Sequence, residues 1–215
     1  NLKAALAPYI DEELTEHAVR VAQECLKLDA HAFPALVTLA HVAEDNEDTH
    51  SLACIADRLA EASAYLENRI SYGLWAAQIW SKSLHKNEQA ITSLTRLLGQ
   101  DPACMPAIAM SEQLHIATGK FEQLARIYTR AIAALPEGEE QTELLRKQAH
   151  LQAKQLQDSP AATLSLARII KNNPNDLDAH DMQADLLVKQ ARWSEAVEII
   201  EMLGKLIEIP EQKRE

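Results

Sequence analysis

Residues 101–136 read DPACMPAIAMSEQLHIATGKFEQLARIYTRAIAALP, and they carry the strongest structural signal in the chain. Pro102 and Pro136 bracket the segment. Between them apolar residues recur at helical spacing, and Thr118-Gly119-Lys120 marks a tight turn between two helices, expected near 104–118 and 121–135. Pro106 fits the first turn of a helix, where a missing N–H costs nothing.

Working outward, the same pattern returns without a gap when the chain is slid from Pro102 to Pro174, a 72-residue step. Asp101-Pro102 meets Asn173-Pro174, Leu94 meets Leu166, Ala107 meets Ala179, and Phe121 meets Trp193. Towards the N-terminus, Asp29 meets Asp101, Pro34 meets Pro106 and Leu52 meets Leu124. The matches are mostly apolar or turn residues, the types that packing and backbone geometry dictate. Each unit splits again at a proline, into a 34-residue part from Pro102 to Pro136 and a 38-residue part from Pro136 to Pro174. Helices are predicted near 11–29, 33–44, 48–64, 67–85, 87–100, 104–118, 121–135, 139–157, 160–172, 176–190 and 193–208. No segment alternates with period two for long enough to read as a strand.

Composition agrees. The 215 residues hold only 5 Gly, too few for hairpins, phosphate loops or strand-rich turns. Hydrophobic residues at 47% and charged residues at 25% are a globular balance. A net charge of −11 with no basic stripe argues against nucleic acid. The longest run without Asp, Glu, Lys or Arg is Ala30–Ala43, shorter than the roughly 18 residues that a membrane span needs. Cys25, Cys54 and Cys104 match neither a disulfide framework nor a metal knuckle and read as small core residues; they suit a reducing setting such as the cytoplasm.

With this register the chain resembles the tetratricopeptide repeat (TPR) family. Gly119, Phe121, Tyr128, Ala131 and Pro136 fall on the family's frame, with Leu124 in place of a small residue. Trp193, Ala196 and Ile200 fit the last unit, where Ala191 stands for the glycine. Ala40 and Ala184 supply the small residue of the first helix, a position where Glu112 departs from the pattern. Leu36, Ile108 and His180 replace large aromatics. The longer units resemble a variant common in bacteria with an extended first helix, carried by Leu144, Leu145, Ala149, Leu151, Leu156 and Ala162. The resemblance implies an all-α fold, a right-handed α-solenoid of antiparallel helix pairs over 1–215, with pairs near 33–66, 67–102, 103–136, 137–174 and 175–208. Residues up to Asp29 read as the second helix of a pair, and Ile209–Glu215 as the opening of another unit, so the chain is expected to be cut from a longer array.

The resemblance further implies a concave groove lined by the first helix of each pair. Its candidate partner-binding residues are His41 and Glu44 in the first pair, Gln78 and Lys82 in the second, and Gln113 in the third. Arg146 and His150 follow in the fourth, near Ala153 and Lys154, then Asp178, Asp181 and Asp185 in the last, near Val188 and Lys189. The positions matching the family's chaperone carboxylate clamp are Val37, His41, Ala109, Gln113, Asp181 and Asp185; none is Lys or Asn. Trp75 meets the polar Lys147 across the 72-residue step, so it is a candidate exposed aromatic anchor, with local packing on Tyr72 as the alternative. Trp80 is expected to pack between helices.

No nucleophile elbow, P-loop or dinucleotide motif occurs in the sequence. Of eight His no two lie three or four apart, which leaves no single-helix zinc pair, and they read as surface or half-buried residues. The function implied is a non-catalytic protein–protein interaction scaffold that binds a peptide or helix in its groove, with no cofactor, metal or membrane insertion in this segment. The alternatives are a structural protein that self-associates by stacking through open array ends, and a regulatory segment of a larger enzyme.

Overall fold

The computed structural model of the chain describes residues 12–211, with side chains described over 15–204. The described residues form α1 (Glu12–Leu28), α2 (Phe33–Asp45), α3 (Thr49–Ala62), α4 (Leu66–Gln78), α5 (Asn87–Gln100) and α6 (Met105–Ala117). They continue with α7 (Phe121–Ala134), α8 (Glu139–Lys154), α9 (Ser159–Asn172), α10 (Leu177–Lys189) and α11 (Trp193–Glu211). No strand occurs among them. The boundaries fall within a few residues of the predicted ones, and the fold is all-α, of TPR-like helix pairs. Two differences stand out: α4 runs on into a π-helical turn, Ile79–Ser83, and α11 reaches Glu211. The end of the unit expected from Ile209 lies outside the described residues.

The 72-residue step is legible in the turns themselves. Glu47, Gly119 and Ala191 stand one step apart, and all three have left-handed backbone, with φ of 56°, 69° and 57°. In each turn the next residue's N–H reaches back five residues, Asp48 to Ala43, Lys120 to His115 and Arg192 to Leu187, each at 2.9 Å. This is the Schellman closure, which satisfies carbonyls that the helix end leaves unpaired. His85 and Gln157, also one step apart, have φ of 53° and 54°. They close wider turns, in which Lys86 N–H bonds Trp80 C=O at 2.7 Å and Asp158 N–H bonds Gln152 C=O at 2.8 Å. The third recurring turn is polar. Asp29, Asp101 and Asn173 each end a helix, and their side-chain Oδ1 accepts the N–H two residues on, at 2.9, 3.1 and 3.3 Å.

The backbone divides into two compact units, Asn1–Leu114 and His115–Glu215, with the boundary inside α6. In the first unit, α1 to α5 each pack on their sequence neighbours. Connections of a few residues between packed helices reverse the chain, so neighbours run antiparallel. Leu36, Ala40 and Ala43 of α2 meet Ile55 and Leu59 of α3, with Leu26 of α1 and Tyr72 and Trp75 of α4 packed against them. Each fully buried Leu contributes about 2 kcal/mol of transfer free energy. Trp80, in the π turn, is buried; its indole N–H donates to Asp57 Oδ2 at 2.8 Å, and Asp57 also accepts from Arg96 of α5 at 3.3 Å. That placement is the interhelix packing expected of it. Glu112 is half-buried and has an interaction partner, which accounts for a carboxylate where Ala40 and Ala184 pack.

In the second unit α7 to α11 likewise pack on their neighbours. The apolar seam runs through Leu124, Tyr128, Ala131 and Ile132, then Leu144, Leu145 and Ala149, then Leu166 and Ile169, and on to Leu186 and Leu187. Side-chain amides fasten one helix to the next. Gln141 donates to the carbonyls of Ile132 and Leu135, both at 3.0 Å, and Gln148 donates to Thr129 Oγ1 at 2.7 Å.

In the tight turns Glu47 and Ala191 hold, with a Cβ, the left-handed position that Gly119 fills without one. Left-handed backbone costs a non-glycine residue about 1–2 kcal/mol, offset in part by glycine's greater freedom when unfolded. Ala191→Gly is therefore expected to stabilise the chain by about 0.5–1 kcal/mol and Gly119→Ala to destabilise it by a similar amount. Thermal denaturation of the two variants checks this; shifts of the same sign would contradict it.

Candidate functional site

The second unit holds an open groove of about 520 Å³ whose walls are α8 and α10. Residues four apart on a helix lie on one face, about 6 Å apart along its axis. Arg146, His150 and Lys154 are therefore one row on α8, and Asp178, Asp181 and Asp185 a facing row on α10, ending in Lys189. Ala153, Leu166, Ala179, Met182 and Leu186 supply the apolar remainder of the lining. The groove unites five of the candidate residues proposed from sequence, Arg146, His150, Asp178, Asp181 and Asp185, with Lys154 and Lys189 beside them.

One ion pair joins the walls. Arg146 donates from its guanidinium to Asp176 Oδ2, while Asp176 Oδ1 accepts the Ala179 N–H at 3.0 Å and so caps the start of α10. The Asp176 side chain is only 5% exposed, that of Arg146 31%. A buried carboxylate with two donors holds the arginine in one orientation, its remaining face towards the groove. Asp176 is the residue that sequence reading missed. The signal was there, because the same step places Ala32 and Cys104 at equivalent positions, and an acid replaces them only here. Among the described residues, Lys154, Lys189, Asp178, Asp181 and Asp185 form no ion pair, so the two rows face one another without closing.

The remaining candidates, His41, Glu44, Gln78, Lys82 and Gln113, are exposed and belong to the first unit. Trp75 does not stand free as the exposed anchor expected of it. It is half-buried against the Leu36–Leu59 cluster, with its ring 6.5 Å from that of Tyr72, because the α4 face it occupies turns onto α2 and α3. The thiols also divide. Cys104 is buried and Cys54 partly so, and burial pushes both above their ordinary value of 9.0, with Asp57 adding to the effect at Cys54. Cys25 is exposed, contrary to the core reading. Its equivalents Leu97 and Ile169 are buried, and Leu97 packs against Gly73. The residue one step before Gly73 is Asn1, outside the described residues.

Two histidines are likewise buried rather than superficial. His115 takes the place of Ala43 and Leu187, and His180 that of Leu36 and Ile108, all of them buried. His180 is 2% exposed; its Nε2 donates to the Pro174 carbonyl at 2.9 Å, and its Nδ1 has no hydrogen-bond partner. Among the described residues no three His, Cys, Asp or Glu side chains gather as a metal site, and no helix is long and apolar enough to cross a membrane.

No protein-family model matches the chain, and no curated protein does. Similar solved structures include the MamA protein, 13% identical over 82% of this chain and 92% of that one, with a TM-score of 0.49. MamA 41-end from Desulfovibrio magneticus RS-1 is 10% identical, covering 82% and 95%, with a TM-score of 0.45. YrrB, described as a TPR protein with an unusual peptide-binding site, is 11% identical, covering 86% and 91%, with a TM-score of 0.46. At these identities and scores the likenesses decide nothing about the groove or its partner.

An unpartnered polar atom in a core costs about 1–3 kcal/mol. His180→Leu, which restores the residue type of Leu36, is expected to raise stability by about 1 kcal/mol, or some 2–4 °C in melting temperature for a chain of this size. Calorimetry checks the sign; a fall in melting temperature would mean that the Pro174 bond outweighs the orphaned nitrogen.

Proposed function

We propose that this chain is a protein-interaction scaffold and that the groove between α8 and α10 takes a peptide or helix of a partner protein. The observation that carries this reading is the unclosed pair of charged rows above an apolar floor. Charges left unpaired on both walls are free to engage a ligand, and such complementarity sets its orientation and speeds its approach. The acidic wall also disfavours a nucleic-acid backbone in the same place.

A photo-crosslinking residue at Met182, inside the groove, is expected to capture the partner, whereas one at the exposed Leu164 is not. For a partner that is basic where it meets α10, the double variant Asp181→Lys, Asp185→Lys is expected to weaken binding on the order of tenfold with helicity unchanged. Capture from Leu164 alone, or an affinity indifferent to the double variant, would remove the groove from the function.

A second reading, self-association of copies of the chain, is favoured by one feature of α11. Trp193, Val197 and Ile200 recur at helical spacing and are 61%, 53% and 53% exposed, although Tyr128, the equivalent of Ile200, is buried. Large apolar faces left open mark interaction surfaces. If copies stack through this face, the mass measured by light scattering rises with concentration, and Trp193→Glu with Ile200→Glu abolishes the rise. A monomeric mass at every concentration excludes it.

A further inference from the structure

From the charge pattern of the groove we infer its occupant: an extended segment of a partner protein in which acidic and basic residues alternate. The inference rests on the groove reading above and adds the chemistry of the ligand.

The rows differ in sign wall by wall. Arg146 and Lys154 are the cations of α8, with His150 between them, and Asp178, Asp181 and Asp185 are the acids of α10, which carries one cation, Lys189, at its far end. A uniformly basic ligand would meet its own sign on α8, and a uniformly acidic one would meet it on α10. The ligand must therefore carry acids along one edge and bases along the other. An extended chain does this by the simplest means, since successive side chains point to opposite sides. Alternation of Glu or Asp with Lys or Arg sends every acid to one wall and every base to the other.

The spacing agrees. Same-side residues of an extended chain repeat about every 6.6–6.8 Å. Steps of four residues on a helix, as from 146 to 150 to 154 or from 181 to 185, repeat about every 6 Å. The mismatch accumulates to little more than an ångström over the three contacts on α8 and to about 3 Å from Asp178 to Asp185 on α10, within the reach of flexible Lys and Glu side chains.

The walls are also close at one end, where the single side chain of Arg146 bridges to Asp176. A helix about 10 Å across rides above such a gap, whereas an extended backbone can settle towards Met182 and Leu186 on the floor. Arg146, already held by the buried Asp176, presents a preoriented donor to the first acid of the ligand.

The test uses the full chain and two labelled octapeptides of equal composition. One alternates Glu and Lys; its isomer has four Glu followed by four Lys. By fluorescence anisotropy at low salt, the alternating peptide is expected to bind at least tenfold more tightly. That binding should fall at least tenfold in Asp181→Lys with Asp185→Lys and again in Lys154→Glu, and weaken as salt is raised. Equal binding of the two isomers, both lost in the variants, overturns the alternating pattern and leaves the groove as a site. Binding of neither peptide, or binding that both variants leave untouched, also overturns it, and cross-linking from Met182 then decides the groove reading by itself.

Discussion

Each helix is stable only because the next one covers its apolar stripe. Most span three to five turns, near the length at which an isolated helix is marginal in water. Leu36 with Leu59, or Leu145 with Ile169, are buried by contacts between helices and not by any one of them. Reversal of the chain after each helix is thus a requirement of the energetics, and the left-handed residues at 47, 85, 119, 157 and 191 meet it after every second helix. That four of these five are not glycine shows that the burial gained by closing the turn outweighs the local backbone cost.

The repeat also makes its own departures informative. Two apolar positions, held by Ala32 and Leu36 and again by Cys104 and Ile108, become Asp176 and His180 in the third copy of the repeat. Asp176 caps α10 and fixes Arg146, so the substitution ties the start of one wall of the groove to the other wall. His180 sits four residues on, held to the Pro174 carbonyl in the turn that precedes the same helix. Polar residues in a repeat core cost stability unless satisfied. Both substitutions fall in the second unit, which also holds the charged groove.

The first unit spends its polar residues differently. Asp57 gathers the Trp80 indole and the Arg96 guanidinium, which ties α3 to the π turn and to α5. Trp75 and Tyr72 fill the space against α2. The aromatic residues there consolidate packing, and the face they would have offered to a partner is spent on the core.

From sequence alone the helices, their turns and the 72-residue step were all legible, because proline, asparagine and apolar spacing act locally and repeat. The charged rows were legible too, since residues four apart share a helix face whatever surrounds it. Burial depends on what arrives from elsewhere in the chain, and that only the tertiary structure decided. It buried His115 and His180, half-covered Trp75 and left Cys25 open, because each answer rests on the neighbouring helix and not on the residue. The pairing of Arg146 with Asp176, thirty positions apart, has the same origin: only packing brings the middle of one helix to the cap of another.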